Sequence, residues 1–339
     1  MANKKIKELY PKLYDYRMSP EISKDYRELL EKLLNTTDEN LINQHVKCAI
    51  ENANLKEFFQ VINKEFNEFI NQEITFNLNV WYSDKYLSVS QLEQNIFTNA
   101  AIVNTLLLFN TIIFYQFDHL DDENVKLRCF QNLFGMIKDS CLWDCSIVAI
   151  DVYHFLTNDI GIDKNYLLFA NDFMYVSIAF AWLHEMAHFY YEHGIKKLNS
   201  GSLKKELEAD MLAYQILLRI IEKNSTNSFD GGVFTENFQQ YTYLAPAMLI
   251  AFYHTVTLID KILYDKTISS ATFTDLIARR EDLINYISIW PGDIDTEKGN
   301  SFYCMFEESL NSFIRSLIAT DKDKKLEEYK MGGGWIYDE

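Results

Sequence analysis

His184-Glu185-Met186-Ala187-His188 lies at the end of a long, mostly apolar stretch that predicts a buried helix. On an α-helix, residues four apart lie on one face, one turn above each other, so the two imidazoles can bind a single metal ion. The glutamate beside the first histidine can then hold or deprotonate a water molecule, the arrangement of HExxH zinc hydrolases. Chance alone places such a pentapeptide in roughly one comparable chain in a hundred. The surrounding sequence therefore has to support the interpretation.

The residues around this pentapeptide predict a single helix. Asn171 or Asp172 is expected as its N-cap, and Gly194 suits the C′ position just after its end. Between them, the run from Met174 to Leu183 is almost wholly apolar. We therefore expect the helix to lie in the core of the protein.

A second helix is predicted to start near Ser202 and to run to about Glu222. The small residues Ala209 and Ala213 let one of its faces approach the first helix closely. On the same face, Glu206 can complete a His-His-Glu metal site. Asp210, one turn further on, can accept the free ring N–H of a ligand histidine.

The combined pattern HExxH…ExxAD resembles the gluzincin metallopeptidases. Nearest in motif are the CAAX-prenyl-endopeptidase and HtpX-type family and its soluble bacterial relatives, including Lit-type phage-exclusion peptidases. The resemblance covers Asn171 to Arg219 and implies a zincin-like fold. It also implies that the zinc ligands are His184, His188 and Glu206, with Glu185 as general base and Asp210 as the carboxylate that supports a ligand histidine.

The spacing of nearby residues excludes one related class. A metzincin needs glycine at position 191 and histidine at position 194, but Tyr191 and Gly194 occupy them. His193 is one residue out of that register and is a poor third ligand. Glu208 stays open as an alternative to Glu206.

The predicted reaction is hydrolysis of a peptide bond by a zinc-activated water. Zinc lowers the pKa of its water towards about 7, and Glu185 accepts the proton and delivers it to the leaving amine. Resemblance to gluzincins implies a further donor, downstream of the third ligand, for the oxyanion. We prefer His254 for this part. The open alternatives are Tyr241, Tyr243, Arg279 and Arg280.

Composition narrows the class of protein. The chain has 339 residues, a net charge of −17, 48% hydrophobic residues and only 11 glycines and 4 prolines. This acidity argues against nucleic acid and anionic membranes as partners, so a peptide or protein substrate is expected. Five irregularly spaced cysteines and the absence of a signal peptide predict a cytoplasmic protein. Two apolar segments, 100–117 and 243–259, are predicted to be buried helices and not membrane spans.

The pattern along the chain predicts a mainly α fold with a small β-sheet (α+β). We expect an N-terminal helical region over 1–72, a zincin-like catalytic core over 73–265, and a C-terminal helical region with a flexible tail over 266–339. Apolar residues at helical spacing support the first region: Ile22, Tyr26, Leu29, Leu30 and Leu33.

Individual elements are also predicted. Strands are expected from Glu73 to Ser83, where apolar residues alternate, and from Cys145 to Phe155. Helices are expected over 91–116, 125–138, 243–265, 272–288 and 300–319.

A second class of function stays open on the sequence alone. The chain can be a non-enzymatic regulatory or binding module that keeps a zincin fold with a structural zinc. The intact Glu185 favours the enzyme, because a site that no longer catalyses can lose this residue without structural cost.

Overall fold

The protein is described by a computed structural model. The described residues are Thr37, 55–81, 89–99, single positions between 102 and 114, 164–192, 203–226, 241–264, 270–290 and 296–319.

These residues form a mostly helical structure with one small sheet, which confirms the predicted α+β class. The helices are α1 (Leu55–Ile70), α2 (Lys164–Tyr190), α3 (Leu203–Thr226), α4 (Ala245–Tyr264), α5 (Ser270–Ile287) and α6 (Glu297–Ala319). A 3₁₀ turn, Thr242–Leu244, precedes α4 directly. The strands are β1 (Asn77–Trp81), β2 (Val89–Leu92) and β3 (Asn95–Asn99).

The sheet has the order β1-β3-β2. β1 pairs in parallel with β3, and β2 pairs with β3 in an antiparallel hairpin. β1 lies within the predicted strand over 73–83, but the predicted helix over 91–116 is wrong for residues 91–99. The hairpin turn is Glu93-Gln94, and Glu93 takes a positive φ of 54°. A two-residue hairpin is usually recognised by Asn-Gly or Asp-Gly, so this sequence carried no turn signal.

α2 has different ends from those predicted. It begins at Lys164, so Asn171 and Asp172 lie inside the helix and neither is its N-cap. Upstream of them, Phe169 and Ala170 continue the packed surface without a helix-breaking residue. At the other end the left-handed residue is Glu192, with φ of 55°, whose N–H donates to the carbonyl of Phe189. Gly194 lies outside the described residues.

The remaining predicted elements have mixed outcomes. The helix predicted over 202–222 appears as α3, and those predicted over 243–265, 272–288 and 300–319 appear as α4, α5 and α6. The described positions between 102 and 114 are helical. Several predictions lie outside the described residues: the apolar positions 22–33, the helix over 125–138, the strand over 145–155 and the tail. The boundaries of the three regions stay predictions.

The core forms around α2. Trp182 is fully buried, its ring packs against Phe58 and Phe59 of α1, and its indole N–H donates to the hydroxyl of Thr98 in β3 at 2.7 Å. Ala209, on the face of α3 that meets α2, has no exposed surface. These contacts fix α2 between the sheet, α1 and α3, just before the helical turn that carries the two histidines.

Two further bonds hold the start of α4 against α2 and α3. The hydroxyl of Ser177 donates to the carbonyl of Ala245 at 3.4 Å. That of Tyr214 donates to the carbonyl of Tyr243 at 2.8 Å. The beginning of α4 is therefore anchored to both helices that carry the predicted metal ligands.

Within the described part of the chain, no helix has the length and apolar character needed to cross a membrane. The segment 243–259 falls in the 3₁₀ turn and α4, whose described residues up to Phe252 are buried.

Candidate metal centre

The structure brings three predicted ligands together. His184 and His188 lie one turn apart on α2, and their Nε2 atoms are 2.9 Å from each other. Glu206 reaches them from the first turn of α3. Its Oε2 is 3.4 Å from Nε2 of His184, and its Oε1 is 3.5 Å from Nε2 of His188. Among the described residues this group has the composition and spacing to hold a metal ion.

These separations fit a tetrahedral zinc site. Ligand atoms about 2.0–2.2 Å from one zinc ion, at tetrahedral angles, lie about 3.3–3.6 Å from one another. The two nitrogen–oxygen separations, 3.4 and 3.5 Å, fall in that range, each to a different oxygen of Glu206, and the two ring nitrogens are closer together, at 2.9 Å. Two imidazoles and one carboxylate are also the ligand types of a catalytic zinc site, which keeps its fourth position open.

Asp210 lies behind this group. One turn after Glu206 on α3, its Oδ1 is 2.7 Å from Nδ1 of His184. In the neutral ring that binds a metal ion, a carboxylate at Nδ1 favours the tautomer with the proton on Nδ1, which leaves the lone pair of Nε2 available to the metal. The expected contact between this carboxylate and a predicted ligand histidine is therefore present.

Arg279 joins the cluster from α5. Its Nε donates to Oδ2 of Asp210 at 2.6 Å, and one terminal nitrogen donates to Oδ1 of the same carboxylate at 2.8 Å. The other terminal nitrogen is 3.1 Å from Oε2 of Glu206. The sequence offers Arg279 only as a candidate oxyanion donor, and no sequence signal links it to the two carboxylates.

The charges in the cluster shift one another's pKa values. Burial alone would lower the pKa of His184, but the charge of Asp210 and the bonds to Asp210 and Glu206 raise it to about 9. Burial opposes ionisation of Glu206 as well, yet the two histidines and Arg279 hold its pKa far below its usual range. The pKa of Asp210 is likewise lowered, against burial, by His184 and Arg279. Both carboxylates are thus ionised at neutral pH.

Glu185 differs from these two carboxylates. It lies next to His184 on α2, is half-buried, and burial raises the pKa of its carboxyl. A raised pKa brings a carboxylate closer to the range in which it can take up and release a proton at neutral pH.

Tyr253 on α4 is affected by the charges of Glu185 and Arg279. Burial raises the pKa of its phenol, and the nearby charge of Glu185 raises it further. The phenol therefore keeps its proton at neutral pH. No local sequence feature distinguished Tyr253, because its position depends on how α4 packs against α2.

The other predicted donors have different surroundings. His254 is half-buried beside Arg280, and burial followed by the charge of Arg280 lowers its pKa. Arg280 itself pairs with Glu307 of α6 at 3.2 Å. The role of His254 as oxyanion donor stays a prediction.

Tyr241 and Tyr243, the two tyrosines among the predicted donors, make contacts with other parts of the fold. The Tyr243 hydroxyl donates to the Thr296 carbonyl at 3.1 Å, and the Tyr241 ring packs against Phe169 and Phe302.

Glu208, the alternative ligand, extends from α3 toward Lys204, 3.7 Å away, and its side chain is 43% exposed. The carboxylate within reach of the two histidines is that of Glu206. His193 lies outside the described residues.

Comparison with known families gives a match over this part of the chain. Residues 140–294, a little under half of the sequence, match the family model described as Peptidase U49. The matched segment contains α2 to α5 and therefore every residue of the cluster. The match supports the assignment of a peptidase, an enzyme that acts on a protein or peptide. Comparison with curated proteins gave no match, and comparison with solved structures gave none either.

Proposed function

We propose that this chain is a zinc-dependent endopeptidase of the HExxH gluzincin type. The observation that carries the proposal is the convergence of His184 Nε2, His188 Nε2 and the Glu206 carboxylate at separations of 2.9–3.5 Å. The peptidase match over residues 140–294 supports the same reaction class independently of that geometry.

In this proposal the metal is held by His184, His188 and Glu206, with Asp210 fixing the ring of His184. Bound zinc supplies a Lewis acid and lowers the pKa of a water molecule. The protein holds its ligands on two helices that pack directly against each other, so the ligand atoms are positioned before a metal arrives.

Glu185 is the proposed general base. Its carboxylate takes a proton from the attacking water and transfers it to the nitrogen of the leaving amine. The pKa raised by burial suits both steps, because the same group must accept a proton and then release it.

Tyr253 is our proposed donor to the oxyanion, in preference to His254. The influence of Glu185 on its pKa supports a location near the reacting groups. A phenol whose pKa is raised stays protonated and can donate a hydrogen bond to negative charge that develops on the substrate carbonyl oxygen.

The decisive variant is Glu185→Gln, which keeps the size of the side chain and removes its basicity. We expect this variant to retain about one zinc per chain and to lose cleavage of a denatured protein pool, since general acid–base catalysis contributes about 10²–10⁴-fold. Zinc content is measured by elemental analysis and cleavage by mass spectrometry of the new termini.

Glu208→Gln on α3 is the matched control, and we expect it to keep both zinc and cleavage. A wild-type protein that binds zinc and cleaves nothing in the pool would favour the non-enzymatic binding module. A wild-type protein without affinity for zinc would contradict both readings.

A further inference from the structure

Arg279 contacts two carboxylates of the cluster at the same time. It binds both oxygens of Asp210, at 2.6 and 2.8 Å, and reaches Glu206 Oε2 at 3.1 Å. One guanidinium therefore bridges the carboxylate that supports His184 and the carboxylate proposed as a ligand. The bidentate pair is among the stronger side-chain interactions in proteins.

These groups lie away from solvent. The side chain of Asp210 is 1% exposed and that of Arg279 is 17% exposed. Removing the cationic partner of a buried carboxylate strongly destabilises the folded protein, because the desolvation of the carboxylate is no longer compensated. Arg279 places one positive charge against both carboxylates, and its removal makes the cluster more negative by one unit.

Metal binding would change the effect of the Arg279 charge on the cluster, because the ion is itself positive. A divalent ion held by His184, His188 and Glu206 would share the Glu206 carboxylate with Arg279, whose terminal nitrogen is 3.1 Å from Oε2, and would therefore lie near a like charge. At such separations the repulsion is large on the scale of binding energies, even at an effective dielectric constant of about 20. Arg279 therefore stabilises the metal-free cluster more than it stabilises the metal-bound one.

We propose that Arg279 is a positioning residue that keeps the metal-free centre folded and, in return, weakens its affinity for the metal. This inference rests on the proposed metal site and adds to it a residue that limits how tightly the ion is held. The positive charge of Arg279 performs this function, and the same charge sets an upper limit on how tightly the ion is held.

The test uses the full chain with Zn²⁺ alone. Arg279→Met keeps the length of the aliphatic stem and removes the charge. In the metal-free protein we expect it to lower Tm by about 5 °C or more. We also expect it to bind zinc at least about tenfold more tightly than wild type, measured by competition with a chromogenic chelator. Arg279→Lys keeps the charge, and its zinc affinity should stay within about threefold of wild type.

Arg280→Met is the matched control, because Arg280 is the next residue on α5 and pairs with Glu307. It should leave zinc affinity within about threefold of wild type. Should Arg279→Met fail to fold, Arg279→Gln gives the same comparison with an uncharged side chain that still donates hydrogen bonds.

The outcomes separate this inference from the proposed function. A wild-type protein that does not bind zinc contradicts the proposed metal site itself. If wild type binds zinc, a charge-removing variant with equal or weaker affinity overturns the role given to Arg279. The role is also overturned if Arg279→Lys behaves like Arg279→Met, since the charge would then not be the cause.

Discussion

Asp210 connects two other residues of the cluster, because its buried carboxylate contacts both His184 and Arg279. We expect Asp210→Asn to weaken zinc binding by about 10–100-fold, the usual effect of losing a carboxylate behind a ligand histidine. The amide no longer balances Arg279, which then repels the metal more strongly. Chelator competition measures the affinity.

Glu208→Gln is the natural comparison for Asp210→Asn, since it makes the same chemical change two residues away on α3. Its side chain is 43% exposed and pairs with Lys204, so we expect unchanged zinc affinity. Equal losses in the two variants would move the ligand assignment on α3 from Glu206 toward Glu208.

Tyr253 provides a test of the oxyanion donor. Tyr253→Phe removes only the hydroxyl, and we expect cleavage to fall by about 10²–10³-fold while zinc content stays the same. His254→Asn, at the adjacent position, should have a smaller effect on cleavage. If the substitution of His254 proves the more damaging one, His254 is the donor that the sequence predicted.

Residue spacing explains which parts of the cluster were predictable. The period of the α-helix places His184 and His188 on one face, and it places Asp210 one turn after Glu206, so the sequence could predict both pairs. Arg279 and Tyr253 lie 69 and 43 residues after Asp210. Their positions relative to the two histidines depend on how α5 and α4 pack. No local sequence pattern predicts how these two helices pack.

At the scale of elements, the bond between Trp182 and Thr98 connects the sheet to the helix that carries both histidines. Thr98→Val leaves the buried indole N–H without its acceptor. We expect the free energy of unfolding to decrease by about 1–3 kcal/mol, the cost of an unsatisfied buried donor. Denaturant titration of the metal-free protein measures the change.

Thr255→Val is a matched control for that prediction. Thr255 is equally buried, and its hydroxyl donates to the carbonyl of Ala251 one turn earlier in α4. Because that carbonyl is also a helix acceptor, the loss should stay below about 1 kcal/mol. Similar losses at the two threonines would mean that the Trp182 contact has no special stabilising role.

The errors in element prediction have physical causes. Residues 91–99 of the β2–β3 hairpin are wrongly predicted as helix because the turn uses Glu93 in a left-handed conformation, without glycine or asparagine. The predicted start of α2 is eight or nine residues too late because Asn171 and Asp172 are common N-cap residues, although here they lie within the helix. Helices α3 to α6 were predictable because each has a strong apolar pattern of helical length.

At the scale of the whole molecule, three described helices form the cluster and a fourth carries the proposed oxyanion donor. α2 and α3 carry the proposed ligands, α4 brings Tyr253 and α5 brings Arg279. The sequence assigned α5 to a separate C-terminal region, yet Arg279 contacts two residues of the predicted catalytic core. α5 therefore belongs to the surroundings of the site.

The central claim is that His184, His188 and Glu206 bind one metal ion together. Anomalous diffraction at the zinc absorption edge, from crystals of the full chain grown with Zn²⁺, tests it most directly. We predict one strong peak about 2.0–2.2 Å from His184 Nε2, His188 Nε2 and an oxygen of Glu206. A peak at another group of residues, or no peak between these three side chains, would contradict the account.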